Sequence, residues 1–200
     1  LADVEVLVFG AEYISRMESV HKTVKTTKIF FYLGKGGPDY TEDCLELMGY
    51  CSSSAPPIAL SEEDDAAIYF SSGTTGFPKA ILHNHRALTA ACMVEQNHHG
   101  QTREDVFLCI PPLYHTGAKM HWFGSLLSGS KAVLLRGVKP EWILRAVTEE
   151  RCTIVWLLVP WAQDLLDAID SGRISLSDYY LDQWRLMHIG AQPVPPSLVS

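Results

Sequence analysis

No Cys-x-x-Cys pair occurs among Cys44, Cys51, Cys92, Cys109 and Cys152, and the number of cysteines is odd. That pattern argues against both a zinc ribbon and a disulfide framework, so reduced, mostly buried thiols in a cytoplasmic setting are expected. Long apolar runs are also missing, and nothing approaches the ~18 residues that a membrane-crossing helix needs. Basic residues are few: 16 Lys and Arg against 23 Asp and Glu leave a net charge of −7. A nucleic-acid partner is therefore not expected, although a local phosphate site is compatible with this charge. Internal repeats, low-complexity tracts and convincing linkers are absent too. What the 200 residues do contain is 47% hydrophobic side chains, enough for a sizeable core and incompatible with disorder.

The apolar runs alternate in type along the chain. Val4 to Phe9 reads as a strand and Ala11 to His21 as a helix, with Tyr13, Ile14 and Met17 at helical spacing. Lys28 to Leu33 is a second strand, closed by the breaker Gly34-Lys35-Gly36-Gly37-Pro38 and followed by a short helix around Thr41 to Met48. A surface loop at Cys51 to Pro57 precedes Ala66 to Phe70, which is expected to be a buried strand. Thereafter helices are expected at Arg86–Glu95, Thr116–Leu127, from Pro140 and from Pro160, with strands at Val106–Ile110, Lys131–Leu135, Thr153–Leu158 and Arg185–Ile189. Strands separated by helices of about ten residues indicate an α/β fold with mostly parallel pairing, because parallel neighbours need long crossovers.

One segment carries chemistry in its composition. Ser71-Ser72-Gly73-Thr74-Thr75-Gly76-Phe77-Pro78-Lys79 packs four hydroxyls, two glycines and a lysine into nine residues. Glycines let backbone amides approach an anion, hydroxyls donate to phosphoryl oxygens, and the lysine adds charge, so the segment suits a polyphosphate. It is not a Walker A loop, in which the lysine directly follows the second glycine.

With this loop, the chain resembles the adenylate-forming, AMP-binding superfamily of acyl- and aryl-CoA synthetases, luciferases and peptide-synthetase adenylation domains. Ser71–Lys79 matches the signature loop of that family. Pro112-Leu113-Tyr114-His115-Thr116-Gly117 resembles its acyl-site motif, and Gly190-Ala191-Gln192-Pro193-Val194 resembles the segment beside the adenine. The resemblance implies a ligase that activates a carboxylic acid with Mg2+-ATP as an acyl-adenylate and passes it to CoA, in settings such as fatty-acid metabolism. By the same resemblance, Ser71, Ser72, Gly73, Thr74, Thr75, Gly76 and Lys79 bind the nucleotide phosphates, with Lys79 and His115 as the catalytic pair. His115, Thr116, Gly117 and Ala118 border the acyl pocket, and Gly190, Ala191 and Gln192 form the wall between adenine and acyl group. A carrier-protein acceptor in place of CoA, or a noncatalytic nucleotide-binding module, are the alternatives.

The family's Tyr-Gly-x-Thr-Glu motif, its ribose-binding aspartate and its mobile C-terminal domain with the adenylation lysine fall beyond Ser200 in the family's order. Its leading N-terminal region is likewise absent, so 1–200 is expected to be a middle fragment of the AMP-binding domain, inactive alone and prone to self-association. Ala118 stands where a second glycine often follows His-Thr-Gly in the family. No metal site of the chain's own is expected: His83, His85, His98 and His99 read as solvated histidines, without carboxylates or cysteines at ligand spacing. Ala118, Trp122 and Leu126 are expected to form the inner face of their helix, with the aromatics His121 to Phe123 and Trp156 used in packing. Asp164, Asp167 and Asp170 are expected on a solvated helix face, and Lys119 on a helix surface.

Overall fold

The computed structural model describes residues 2–71 and 76–198, which fall into two compact units. The first comprises Leu1–Ser61 with Ile68–Leu82, and the second Glu62–Ala67 with His83–Ser200. Mixed α/β elements with parallel sheets appear in the order read from the sequence, with ends shifted by a few residues and with two further short strands, at Glu42–Asp43 and Lys79–Asn84.

In the first unit, β1 (Val6–Gly10) pairs in parallel with β2 (Ile29–Leu33), and β2 pairs with the two-residue β3 (Glu42–Asp43). Helix α1 (Ile14–Val20) forms the crossover between β1 and β2. Helix α2 (Cys44–Tyr50) starts where the Asp43 carboxylate accepts the amides of Leu45 and Glu46 at 2.9 and 3.0 Å. That cap explains why the helix begins three residues later than its periodicity indicates. Strands β4 (Asp65–Ser71) and β5 (Lys79–Asn84) form a two-stranded sheet that contributes residues to both units. The expected burial of β4 is not found: its residues alternate between exposed and half-buried, and Ile68 and Phe70 are exposed. A short apolar run matches either a buried strand or one strand of a thin two-stranded sheet, and the latter is formed.

The second unit opens with α3 (His85–His99), capped by the Asn84 side chain on the Ala87 amide and ended by Gly100 at φ 54°. It continues through β6 (Val106–Cys109), α4 (Thr116–Ser128), β7 (Lys131–Leu134), α5 (Pro140–Glu150), β8 (Ile154–Leu158), α6 (Val159–Asp170) and β9 (Leu186–Gly190). Four parallel strands lie in the order β7-β6-β8-β9. Alternation along β6 and β8 divides the core. Leu108, Val155 and Leu157 pack with Ile143, Leu144, Val147 and Leu165 of α5 and α6, while Phe107, Cys109, Ile154 and Trp156 pack with Ala118 of α4. Both faces of the sheet are thus covered, which explains why β8 reads as an unbroken apolar run.

Helix α4 turns inward along a different line from the expected one. Ala118, His121, Gly124 and Ser125 are buried, whereas Leu126 is 61% exposed. Its neighbour α3 comes close at Gly124, where an added Cβ would stand 3.3 Å from Gln96 Cγ and 3.6 Å from the Cys92 carbonyl oxygen. Gln96 Nε2 donates to the Gly124 carbonyl. Close helix approach selects small and hydrogen-bonding residues, so an apolar count points to the wrong face. Asp164, Asp167 and Asp170 are exposed, as expected. Among the described residues no helix is long and apolar enough to cross a membrane.

Candidate active site

The strand order of the second unit creates its own binding position. From β6 the chain passes to β7 on one side and then returns to place β8 on the other. In open parallel sheets, ligands bind beyond the carboxyl ends of the strands at such a reversal. A cavity of about 480 Å3 lies there, lined by Pro111, His115, Thr116 and Gly117 after β6, Leu158 at the end of β8 and Ala191 after β9. Glu95, His121, Trp156 and His188 complete its lining.

His115 is the residue before the first turn of α4, with extended backbone and no capping role for its side chain. The imidazole is exposed and packs against the Tyr114 ring with centroids 4.7 Å apart, so it is not a core histidine. Gly117 lies against the Trp156 indole: a Cβ there would come within 2.4 Å of Trp156 Cη2. Close approach of helix to ring is thus possible only without a side chain. Ala118 does not line the cavity, contrary to expectation: it is fully buried in the core with Phe107 and Trp156. Gly190 ends β9, and Ala191 adopts φ 66°, a left-handed conformation that a non-glycine residue holds at some strain and that is concentrated at functional turns. Gln192 follows on the exposed surface. The structure therefore brings His115, Thr116, Gly117 and Ala191 to one cavity.

The phosphate-type loop belongs to the other compact unit. Ser71 ends β4, Gly76 has φ 81°, and Lys79 opens β5 with an exposed side chain. Ser72, Gly73, Thr74 and Thr75 lie outside the described residues.

Several site residues escape sequence reasoning. His99 is buried rather than solvated, with 5% of its surface exposed, while His98 on the next face is exposed. His121 and Trp156, expected to serve packing, also line the cavity. His99 Nε2 and His188 Nδ1 are 2.9 Å apart, and the His121 ring stacks on Phe107 at 4.8 Å. Burial, with the neighbouring histidines, lowers the pKa of His99 to about 4 and of His121 to about 3. Burial also lowers His188, partly opposed by the Glu95 carboxylate. All three imidazoles are thus neutral near pH 7. The one available signal was the spacing of Glu95 and His99, four apart and so on one helix face.

A polar clasp holds the amino ends of the same strands. Arg185 Nε and Nη2 donate to the two Asp105 carboxylate oxygens at 2.8 and 2.9 Å, and its Nη1 and Nη2 reach the carbonyls of His99 and Gly100 at 3.1 Å. Thr153 Oγ1 and the Thr102 amide also donate to Asp105, at 2.7 and 2.8 Å. Burial alone would raise the Asp105 carboxyl, but these donors outweigh it and hold it well below the usual carboxylate range. The clasp joins the end of α3 to the starts of β6, β8 and β9 and so fixes where His99 and His188 meet. The buried thiols take no part: burial pushes Cys109 up to about 11 and Cys152 up to about 12.

Comparison with known proteins places the chain in a family. A family model described as AMP-binding enzyme matches residues 2–200. The chain is 30% identical over 138 residues to 4-coumarate--CoA ligase-like 3 of Arabidopsis thaliana, covering 68% of this chain and 24% of that protein. It is 32% identical over 164 residues to triostin synthetase I of Streptomyces triostinicus, covering 77% of this chain and 28% of that protein. The N-terminal domain of FACL13 from Mycobacterium tuberculosis shares the fold, with a TM-score of 0.85 at 18% identity over 99% of this chain and 47% of that one. The chain thus spans about a quarter of the length of these curated relatives. On the family match across nearly every residue, this chain belongs to the AMP-binding enzyme family.

Proposed function

We propose that this segment is part of the large domain of an AMP-forming ligase that joins a carboxylic acid to CoA. The observation that carries the reading is the convergence of His115–Gly117 and Ala191, from two motifs far apart in sequence, on one cavity at the reversal of a parallel sheet. In this reading, an oxygen of the acid's carboxylate attacks the α-phosphorus of ATP. The new O–P bond forms as the bond to pyrophosphate breaks. The CoA sulfur, losing its proton, then attacks the acyl carbonyl and expels AMP.

Lys79, with the hydroxyls and amides of Ser71–Gly76, stabilises the charge that grows on the departing pyrophosphate. His115 stands at the mouth where acyl group and thiol meet. The backbone of Gly190, Ala191 and Gln192 separates the adenine from the acyl group. Magnesium would accompany the triphosphate in such a reaction and offset part of its charge.

A relative named synthetase rather than CoA ligase motivates a second reading, in which the acceptor is pantetheine on a carrier protein. Thioester formation decides between them. A protein of the relatives' length that carries this segment should form acyl-CoA from acid, ATP and CoA, with AMP released in equal amount. Transfer to carrier-bound pantetheine but not to free CoA would select the second reading, and failure with both would end the thioester proposal.

A further inference from the structure

The floor of the cavity is built from polar groups that the proposed reaction does not use. Glu95 comes from α3, His121 from α4, Trp156 from β8 and His188 from β9, and ligand atoms of Glu95, His121 and His188 lie within 4.8 Å of one another. His121 and Trp156 are 3% and 7% exposed. Their Nδ1 and Nε1 atoms have no hydrogen-bond partner among the described residues. An indole N–H can only donate, so its missing partner has to be an acceptor.

The hydrogen bond between His99 and His188 fixes the role of a second group. His99 Nδ1 is buried without a partner. If His188 Nδ1 donated, neutral His99 would carry its proton on that buried, unpaired nitrogen. A buried orphan N–H is rarer than a buried orphan acceptor, so the favoured tautomers have His99 Nε2 donating to His188 Nδ1. His188 then carries its own proton on Nε2. That atom and Trp156 Nε1 face the same place, since a Cβ added at Gly190 would stand 3.4 and 3.7 Å from them. The floor thus offers two donors, from Trp156 and His188, beside one obligate acceptor, the Glu95 carboxylate.

We propose that this cluster is a hydroxyl-recognition subsite, and that the acid activated in the cavity carries a hydroxyl group distant from its carboxylate. This rests on the reading of the cavity as the acyl pocket. A hydroxyl oxygen accepts from Trp156 and His188 while its proton goes to Glu95, so that both donors and the carboxylate gain a partner from one group. A plain alkyl or aryl end leaves both donors unpaired. A second carboxylate meets the like charge of Glu95 among neutral imidazoles, with no lysine or arginine among the described lining residues to offset it.

The test is acid-dependent exchange of labelled pyrophosphate into ATP by a protein of the relatives' length that carries this segment. Matched acids are compared: 4-hydroxybenzoate with benzoate and terephthalate, and 6-hydroxyhexanoate with hexanoate and adipate. At least one hydroxylated acid should exceed its deoxy partner in kcat/KM by roughly tenfold to a hundredfold, with the diacid slowest. Trp156→Phe and His188→Leu should bring that ratio toward one, and His188→Gln, which keeps a donor, should retain part of it. The ratio is informative even where a variant is less stable, because it is taken within one protein.

Preference for the deoxy acids, or a ratio unchanged in the variants, would overturn the subsite and leave the ligase reading in place. A divalent metal retained in equimolar amount through chelator dialysis and lost in His121→Ala would also overturn it, assigning Glu95, His121 and His188 to the ion. No exchange with any acid would overturn both readings.

Discussion

Asp105 and Arg185 form a half-buried ion pair that no motif singles out. Their bidentate contact, with three further hydrogen bonds that the carboxylate accepts from Thr102 and Thr153, holds three strand starts and one helix end together. Only 6% of Asp105 is exposed. Asp105→Asn removes the charge and leaves Arg185 facing a poorer acceptor, so a loss of about 2–4 kcal/mol is expected from a charged, hydrogen-bonded group of this burial. Chemical denaturation of the two proteins reads the difference; a change below about 0.5 kcal/mol, the usual range for a surface substitution, would show that the clasp is ornamental. Neither residue announces itself in the sequence, because Asp105 lies in a polar turn and Arg185 precedes a strand. Their partnership exists only once β6, β8 and β9 are adjacent.

At the scale of elements, Gly117 in the first turn of α4 sets how near the helix lies to Trp156. Gly117→Ala puts a methyl group 2.4 Å from an indole carbon that the core holds, forcing the ring or the helix to shift. A destabilisation of about 1–3 kcal/mol is expected, with a blue- or red-shifted Trp156 emission resolved against Trp156→Phe. Equal stability and unchanged emission would mean that the ring moves freely.

The same helix marks the limit of what sequence reveals. Its extent and its place after β6 follow from Thr116 and the apolar spacing, and Gly117 in its first turn belongs to the acyl-site motif. Its buried face does not: His121, Gly124 and Ser125 are chosen by the closeness of α3, a tertiary fact that hydrophobicity cannot encode. His99 departs from its expected exposure for a related reason. Its polarity points to solvent, whereas one more helical turn beyond Glu95 carries it beneath Phe107 and beside His188. Strand β4 erred in the opposite direction, its apolar residues being displayed on a thin sheet rather than buried. By contrast, β6, β8, α5 and α6 were legible because each buries a continuous apolar face against a neighbour of the same unit.

For the molecule as a whole, the buried histidines couple folding to pH. His99 and His121 have folded pKa values of about 4 and about 3, against an ordinary value of 6.5. Below pH ~6.5 the unfolded chain takes up protons at these sites that the folded chain refuses, so stability is fully present above that value. It declines as pH falls toward 4 and then 3, and Asp105, whose pKa is also depressed, adds its own loss below about pH 4. The urea midpoint should therefore be level near pH 7 to 8 and fall steadily from about pH 6 downward. His121→Phe, a neutral ring of similar shape, should flatten the upper part of that decline. A midpoint indifferent to pH between 7 and 4.5 would contradict the burial of neutral imidazoles.

Lys79, at the end of the phosphate-type segment, is that segment's lone cation, on which the proposed adenylation step depends. In a protein of the relatives' length that carries this segment, acid-dependent exchange of labelled pyrophosphate into ATP measures the adenylation step alone, without the thiol. The wild-type protein should support exchange only when a carboxylic acid is present, and Lys79→Ala should slow it by roughly 10²- to 10³-fold, as loss of a single electrostatic stabiliser does. Exchange at equal rates in the two proteins, or none with any acid, would contradict the assignment of this segment to an AMP-forming ligase.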